Sequence, residues 1–236
     1  HPIPRRQRQM CIRDRFIVEF CRALELHKPV IMGQSMGGNI CLELALRYEN
    51  EFSALIAMEA CDHSPGWWID PLHHPEIHGG EAVATSVFGL MSPESPDEYR
   101  WETWWYYAQG GPGIFKGDLY YYSVDSDYRD KVHKISGKLP IYFLTGEYDF
   151  ACTPEMTMRT AEKVKNSECI IFGGGHFPTS EDPDKFKEVI TPVLKKILQN
   201  DPGRRGSATE NWSSNRSSSG GGRPSDDTPQ RRVIDL

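Results

Sequence analysis

Long apolar runs are missing from this chain. No stretch reaches the roughly 18 consecutive apolar residues that a membrane-spanning helix needs, so the sequence offers no membrane span. A basic surplus is missing too. The 236 residues carry a formal net charge of −6, which leaves no electrostatic footprint for a nucleic-acid backbone. No charged start followed by an apolar core marks a signal peptide. Paired cysteines at metal-ligand spacing are also absent. Cys11, Cys21, Cys41, Cys61, Cys152 and Cys169 stand apart, mostly in apolar segments, and read as small buried hydrophobes of a reducing compartment. His73, His74 and His78 lie in a Pro- and Gly-rich segment with no helical spacing and no cysteine partner, so they are not read as a zinc site. The chain is expected in the cytoplasm, with no nucleic-acid partner and no membrane span, its oligomeric state open.

What is present is concentrated in one stretch. An apolar run, Val30-Ile31-Met32, stops at Gly33-Gln34-Ser35-Met36-Gly37-Gly38, and a helix-like segment, Asn39 to Leu46, follows at once. Gly-x-Ser-x-Gly between a strand and a helix is the pattern of a nucleophile elbow, in which a sharp turn lifts the serine hydroxyl above a sheet. Side chains at Gly33 and Gly37 are expected to collide with neighbouring backbone. The Met36 N–H, at the helix start, is expected to point where an oxyanion would form. Gln34, beside the serine, is a candidate for substrate contact.

Around this centre the chain reads as alternating α/β. Residues 1–15 show no convincing pattern. The stretch Met10–Arg15 resembles a translated sequencing adapter and is set aside as a leader. Phe16 to Leu26 is expected to be an amphipathic helix, with Phe16, Val18, Phe20, Leu24 and Leu26 as its apolar residues. Phe52–Met58, Leu139–Thr145 and Ser167–Phe172 read as further buried strands, since continuous apolar runs suit a parallel sheet covered on both faces. Thr153-Pro154 and Asp182-Pro183 start helices. The second of these carries an i, i+3, i+4 stripe from Phe186 to Leu198 and is expected to kink at Pro192. These segments make a core of residues 16–61 and 137–199.

Residues 62–136 break the alternation and read as an inserted lid, rich in Pro, Gly, His, Trp and Tyr. Ser95-Pro96-Asp97-Glu98 has capping-box spacing and opens a helix that Gly110-Gly111 stops. Trp67, Trp68, Trp101, Trp104 and Trp105 are more aromatic than a solvent loop needs. They are candidates to line a pocket for an apolar or aromatic small-molecule substrate, or to build a small lid core. From residue 200 the Ser, Gly, Arg and Asp composition reads as a disordered tail.

Two strand ends supply partners for the serine. Leu144-Thr145-Gly146-Glu147-Tyr148-Asp149 follows the third strand, and Gly173-Gly174-Gly175-His176 the fourth. In an open parallel sheet ligands bind beyond the carboxyl ends of the strands, so Ser35, Asp149 and His176 are expected along one rim. A serine hydroxyl needs a base to take its proton, and that base needs an acid to fix its tautomer. Glu147, Glu59 and Asp62 are alternative acids.

From about Phe16 to Leu198 the chain resembles the α/β-hydrolases of the single-domain esterase, lactonase and carbon–carbon hydrolase type. The carrying residues are Gly33 to Gly38, Leu144 to Asp149 with Pro154, and Gly175-His176-Phe177-Pro178. The resemblance implies an α/β fold with a parallel sheet and a helical, aromatic-rich lid. It also implies hydrolysis through an acyl-enzyme on Ser35, with no cofactor and no metal. Ester, thioester or lactone cleavage is the first expectation. Carbon–carbon hydrolysis and non-catalytic small-molecule binding are the alternatives. The family has several strands before its elbow strand and a second oxyanion N–H on a loop among them. Here few residues precede Lys28, so the chain is expected to be an N-terminally truncated fragment with Met36 as the assignable donor.

Overall fold

A computed structural model describes residues 5–66, 70–77, 80, 86–110 and 113–200, with side chains from residue 13 onward. Trp67, Trp68, His78 and the expected tail from residue 201 lie outside the described residues. The chain divides into two compact units, His1–Lys195 and Lys196–Leu236.

The first unit is built on a parallel sheet of β1 (Val30–Gln34), β2 (Ala54–Met58), β3 (Ile141–Gly146) and β4 (Ser167–Phe172), each strand beside the next in sequence. The register levels the strand ends: Gln34 lies opposite Met58, Met58 opposite Leu144, and Gly146 opposite Phe172. Whatever follows each strand therefore emerges along one rim. β2 and β3 are buried along their whole length, as their unbroken apolar sequence requires. β1 is an edge among the described strands, and Met32 on it is 46% exposed.

Helix α1 spans Arg5–Ala23 and departs from expectation in two ways. Helix runs through residues read as a patternless leader, because nothing from Arg5 to Ala23 breaks it and Arg, Gln and Met are good helix formers. Its buried side is also not the expected stripe. Asp14, Val18 and Cys21 are buried, whereas Phe16, Phe20 and Leu24 are more than half exposed. Asp14 is 3.1 Å from Arg47, and Arg13 sits over the Tyr121 ring, so residues of the excluded leader join the packing.

Helix α2 (Met36–Arg47) packs on β1 and β2 and is buried from Gly38 to Ala45. The segment between β2 and β3 is divided. Its later part, with Tyr121, Tyr128, Val132 and Ile135, enters the main core beside Leu44, Leu55 and Phe143. Its middle part, with α3 (Asp97–Ala108) and α4 (Ile114–Tyr120), builds a separate cluster. There Val87, Leu90 and Met91 meet Ala151 and Phe177, with Trp104, Tyr107 and Phe115 packed against them. The α3 helix starts where the capping box placed it, but Pro96 is the cap residue and no side-chain cap bond forms. Helix α5 (Pro154–Ala161) is capped by Thr153, whose hydroxyl accepts from the Met156 N–H at 3.4 Å. The short α6 (Pro178–Glu181) leads into α7 (Pro183–Asn200), which holds Pro192 in its interior. Among the described residues no helix is long and apolar enough to cross a membrane.

Candidate active site

The turn after β1 forces Ser35 into φ 57°, ψ −117°, a conformation that a non-glycine residue adopts only when its surroundings hold it there. They do so through two backbone bonds: Ser35 N–H donates to Met58 O at 2.9 Å, and Asn39 N–H to Ser35 O at 3.0 Å. A Cβ on Gly33 would lie 2.3 Å from Gly37 O, and one on Gly38 2.3 Å from Met58 O. Gly37, by contrast, faces open space. The expected collision at Gly37 is thus corrected: close helix–strand approach is made at Gly33 and Gly38. Asn39, fully buried, braces the turn by donating to Ser126 Oγ at 2.8 Å and accepting from the Cys61 N–H at 3.3 Å.

The three residues expected to meet do meet. His176 Nε2 lies 2.8 Å from Ser35 Oγ, and His176 Nδ1 lies 2.7 Å from Asp149 Oδ2. Asp149 and His176 are both buried. The His176 loop is held from several sides. Its N–H donates to Leu90 O at 2.9 Å, and its carbonyl accepts from Gln34 Nε2 at 2.7 Å. The buried carboxylate of Glu181 accepts from the N–H groups of Gly175 and Ser92. Gln34 lines the cleft beside Ser35. Its amide is also a strut to the histidine loop, because its oxygen accepts from Thr179 Oγ1 at 3.0 Å.

The alternative acids lie elsewhere or are occupied otherwise. Asp62 pairs with Lys163 at 2.5 Å, and Glu147 is exposed. Glu59 is the informative case. Fully buried, with φ 49°, it shares a hydrogen bond with Asp149, and the Gly146 N–H donates to both its carboxyl oxygens at 3.1 and 3.2 Å. Burial, then the charge of Asp149, pushes the Glu59 carboxyl well above its ordinary value. Burial also works to raise Asp149. The His176 ring outweighs it, together with bonds from Glu59 and the Cys152 N–H, and holds Asp149 below the usual carboxylate value. Asp149 Oδ1 accepts from Ala151 N–H at 2.7 Å and Cys152 N–H at 3.1 Å, bonds that favour its charged form.

Glu59, Asp149 and His176 offer ligand atoms within 4.8 Å of one another. They fit a cation poorly. Both ring nitrogens of His176 already face Asp149 and Ser35, and Glu59 favours its proton. His73 and His74 are exposed and belong to no group of potential metal ligands among the described residues.

An open cleft of about 190 Å³ adjoins Ser35 and His176. Its apolar lining comes from Val87, Leu90, Tyr107, Phe115, Tyr122 and Phe177. Trp101, Trp104 and Trp105 do not line it. Trp101 and Trp105 are 58% and 60% exposed, and Trp104 packs in the cluster behind the cleft. Aromatic content pointed to the right segment and the wrong residues: α3 turns Tyr107 inward and leaves Trp101 and Trp105 outside. Met36 also lines the cleft, and as the first residue of α2 its N–H has no acceptor within the helix.

A family model described as alpha/beta hydrolase fold matches residues 4–82. Taken with the levelled parallel sheet and the strained serine turn, that match decides the architecture. The chain has the α/β-hydrolase fold. Solved structures with this fold agree. A thermophilic esterase from Thermogutta terrifontis is 19% identical, with a TM-score of 0.64 over 77% of this chain and 70% of that one. The enol-lactonase from Burkholderia xenovorans LB400 is 18% identical, with a TM-score of 0.65 over 76% and 70%. A meta-cleavage product hydrolase from Pseudomonas fluorescens IP01 is 16% identical, with a TM-score of 0.58 over 76% and 69%. At such identities the likeness of this chain to them is one of fold. No curated protein matches it.

Proposed function

We propose that this α/β hydrolase cleaves a carboxylic ester, thioester or lactone through an acyl-enzyme on Ser35. The observation that carries the reading is His176, bonded on one ring nitrogen to Ser35 and on the other to Asp149. His176 Nε2 takes the serine proton as Oγ attacks the substrate carbonyl. Asp149 holds the Nδ1–H tautomer and offsets the charge of the imidazolium. The Met36 N–H donates to the oxyanion, and His176 then returns the proton to the leaving oxygen or sulfur. Water repeats the sequence to free the acid. The insertion read as residues 62–136 supplies the lid, and its Val87, Leu90, Tyr107 and Phe115 line the cleft.

The lining favours an apolar group. The volume favours a small one, since pockets for drug-sized ligands run from roughly 300 to 1,000 Å³. The names of the structural neighbours include esterases and an enol-lactonase, in keeping with the reading. Reaction of the chain with a fluorophosphonate tests it: one adduct on Ser35, and burst release of p-nitrophenol from its acetate, are expected. Turnover of a ring-fission dienoate with no ester turnover would move the assignment to carbon–carbon hydrolysis. Neither reaction would leave a binding protein.

A further inference from the structure

One buried hydroxyl touches the proposed nucleophile and has no part in the triad. Tyr122 Oη lies 3.0 Å from Ser35 Oγ and 3.2 Å from Glu59 O. It lines the cleft, and its side chain is otherwise enclosed. Ser35 Oγ thus has two hydroxyl-range neighbours, His176 Nε2 on one side and Tyr122 Oη on the other. Both oxygens are rotors whose protons turn to suit the network.

The network has two arrangements. With His176 neutral and ready to act as base, Ser35 must donate to Nε2, and the lone pair of Oγ that faces Tyr122 can only accept. The tyrosine O–H then donates to Oγ. With His176 as imidazolium, Nε2–H donates to Oγ, Ser35 donates to Tyr122, and Tyr122 donates to Glu59 O. The second arrangement belongs to a histidine that has taken its proton from solvent while Ser35 keeps its own, and there the Glu59 carbonyl, just after β2, is the acceptor. When Ser35 gives its own proton to His176, Oγ can only accept, and Tyr122 donates to it.

We propose that Tyr122 is a further catalytic residue, donating a hydrogen bond to Ser35 Oγ whenever that oxygen carries negative charge. The inference rests on the serine-hydrolase reading above. In acylation the Ser35 proton goes to His176 Nε2, Oγ bonds to the carbonyl carbon, and the carbonyl electron pair moves to its oxygen. In deacylation a water proton goes to Nε2 and the water oxygen bonds to the acyl carbon. The carbon–Oγ bond then breaks, its electron pair stays on Oγ, and the proton returns from His176. In both steps charge builds on Oγ, first as nucleophile and then as leaving group, and a hydroxyl already 3.0 Å away needs only to turn its O–H from Glu59 O to meet it. Burial keeps Tyr122 protonated, and so a donor, by pushing its phenol well above its ordinary value.

The test uses the whole chain and p-nitrophenyl acetate under pre-steady-state conditions. Tyr122→Phe is expected to slow both the acylation burst and the steady-state rate by about 10- to 100-fold, the range for one hydrogen bond to a charged atom, with KM within about twofold. Placing 3-fluorotyrosine at 122 keeps shape and donor, and is expected to restore both rates to within about threefold of the parent. If the phenylalanine variant fails to fold, a series of mono-, di- and trifluorotyrosines at 122 decides the matter. Both rates are expected to change in step as fluorination strengthens the donor, and rates that do not follow the series would overturn the proposal. Rates for Tyr122→Phe within about twofold of the parent would overturn the proposal. So would a 3-fluorotyrosine protein as slow as the phenylalanine one, since the effect would then be packing. Fluorophosphonate labelling separates the two levels. A parent that labels Ser35 while Tyr122→Phe labels at the same rate sinks the tyrosine alone. A parent that neither labels nor turns over sinks the hydrolase reading, and the tyrosine with it.

Discussion

Strands β2 and β3 lie side by side, both fully buried, and each runs out into an acid that reaches the same histidine pocket. The two carboxyls are pushed in opposite directions. Asp149 meets two backbone N–H donors on one oxygen and the His176 ring on the other, and is held below its ordinary value. Glu59 has a single N–H shared by both oxygens and an anion for a neighbour, and is driven well above it. Burial is common to both, so burial does not choose between them. The number of donors aimed at the charged form does. Asp149 thereby favours its charged form beside the His176 ring, and Glu59 favours its proton, toward their shared hydrogen bond.

The largest effect removes what both acids serve. Ser35→Ala is expected to abolish fluorophosphonate labelling and to lower ester turnover by about 10⁵- to 10⁶-fold. Equal labelling of the variant would place the nucleophile elsewhere.

Next comes the anionic member of the pair. Asp149→Asn keeps the shape and takes away the charge and the acceptor that fixes the Nδ1–H tautomer. Its kcat is expected to fall by roughly 10³- to 10⁴-fold, with the melting temperature little changed. If Asp62→Asn had this effect instead, the acid would belong to the turn after β2.

The neutral member shows itself in stability rather than rate. Glu59 binds its proton more tightly folded than unfolded, so its contribution is complete below the unfolded pKa and is lost as pH rises through the raised folded value. Asp149 has the opposite sign: its contribution is present above the unfolded pKa and is lost as pH falls through the lowered folded value. Glu59→Gln removes the first dependence and leaves the second. Thermal melts between about pH 5 and 9 are expected to decline less steeply on the alkaline side in the variant than in the parent. An identical slope would mean that Glu59 is ionised in the folded chain. The smallest effect is expected from Trp101→Ala, which lies outside the cleft. Its kcat and KM for p-nitrophenyl acetate should stay within about twofold of the parent.

Legibility followed the same divide. The serine turn and the order Ser35, Asp149, His176 could be read because each sits at a fixed offset from a strand end, and parallel strands in register carry those offsets to one rim. The charge states of Glu59 and Asp149 could not. They depend on the N–H groups of Gly146, Ala151 and Cys152, which reach the carboxyls only once the turns are folded. Gly37 was misread beside Gly33 because the motif marks both glycines alike, while the close approach is made at Gly38. The tryptophans of residues 97–108 were read from composition, which carries no direction. Tyr122, in the run Tyr120-Tyr121-Tyr122, had no spacing to distinguish it from its neighbours. In α1 the pattern of Phe16, Phe20 and Leu24 suggested one face, whereas the buried side is Asp14, Val18 and Cys21, with Arg47 pairing Asp14.

The most direct test of the account sets the two acids against each other in one assay. Rates of fluorophosphonate labelling at neutral pH are measured for the parent, Asp149→Asn and Glu59→Gln, with the adduct mapped by mass spectrometry. The account predicts an adduct on Ser35, a rate for Asp149→Asn lower by about 10³-fold or more, and a rate for Glu59→Gln within about tenfold of the parent. A Glu59→Gln protein that labels as slowly as Asp149→Asn, or more slowly, would contradict it.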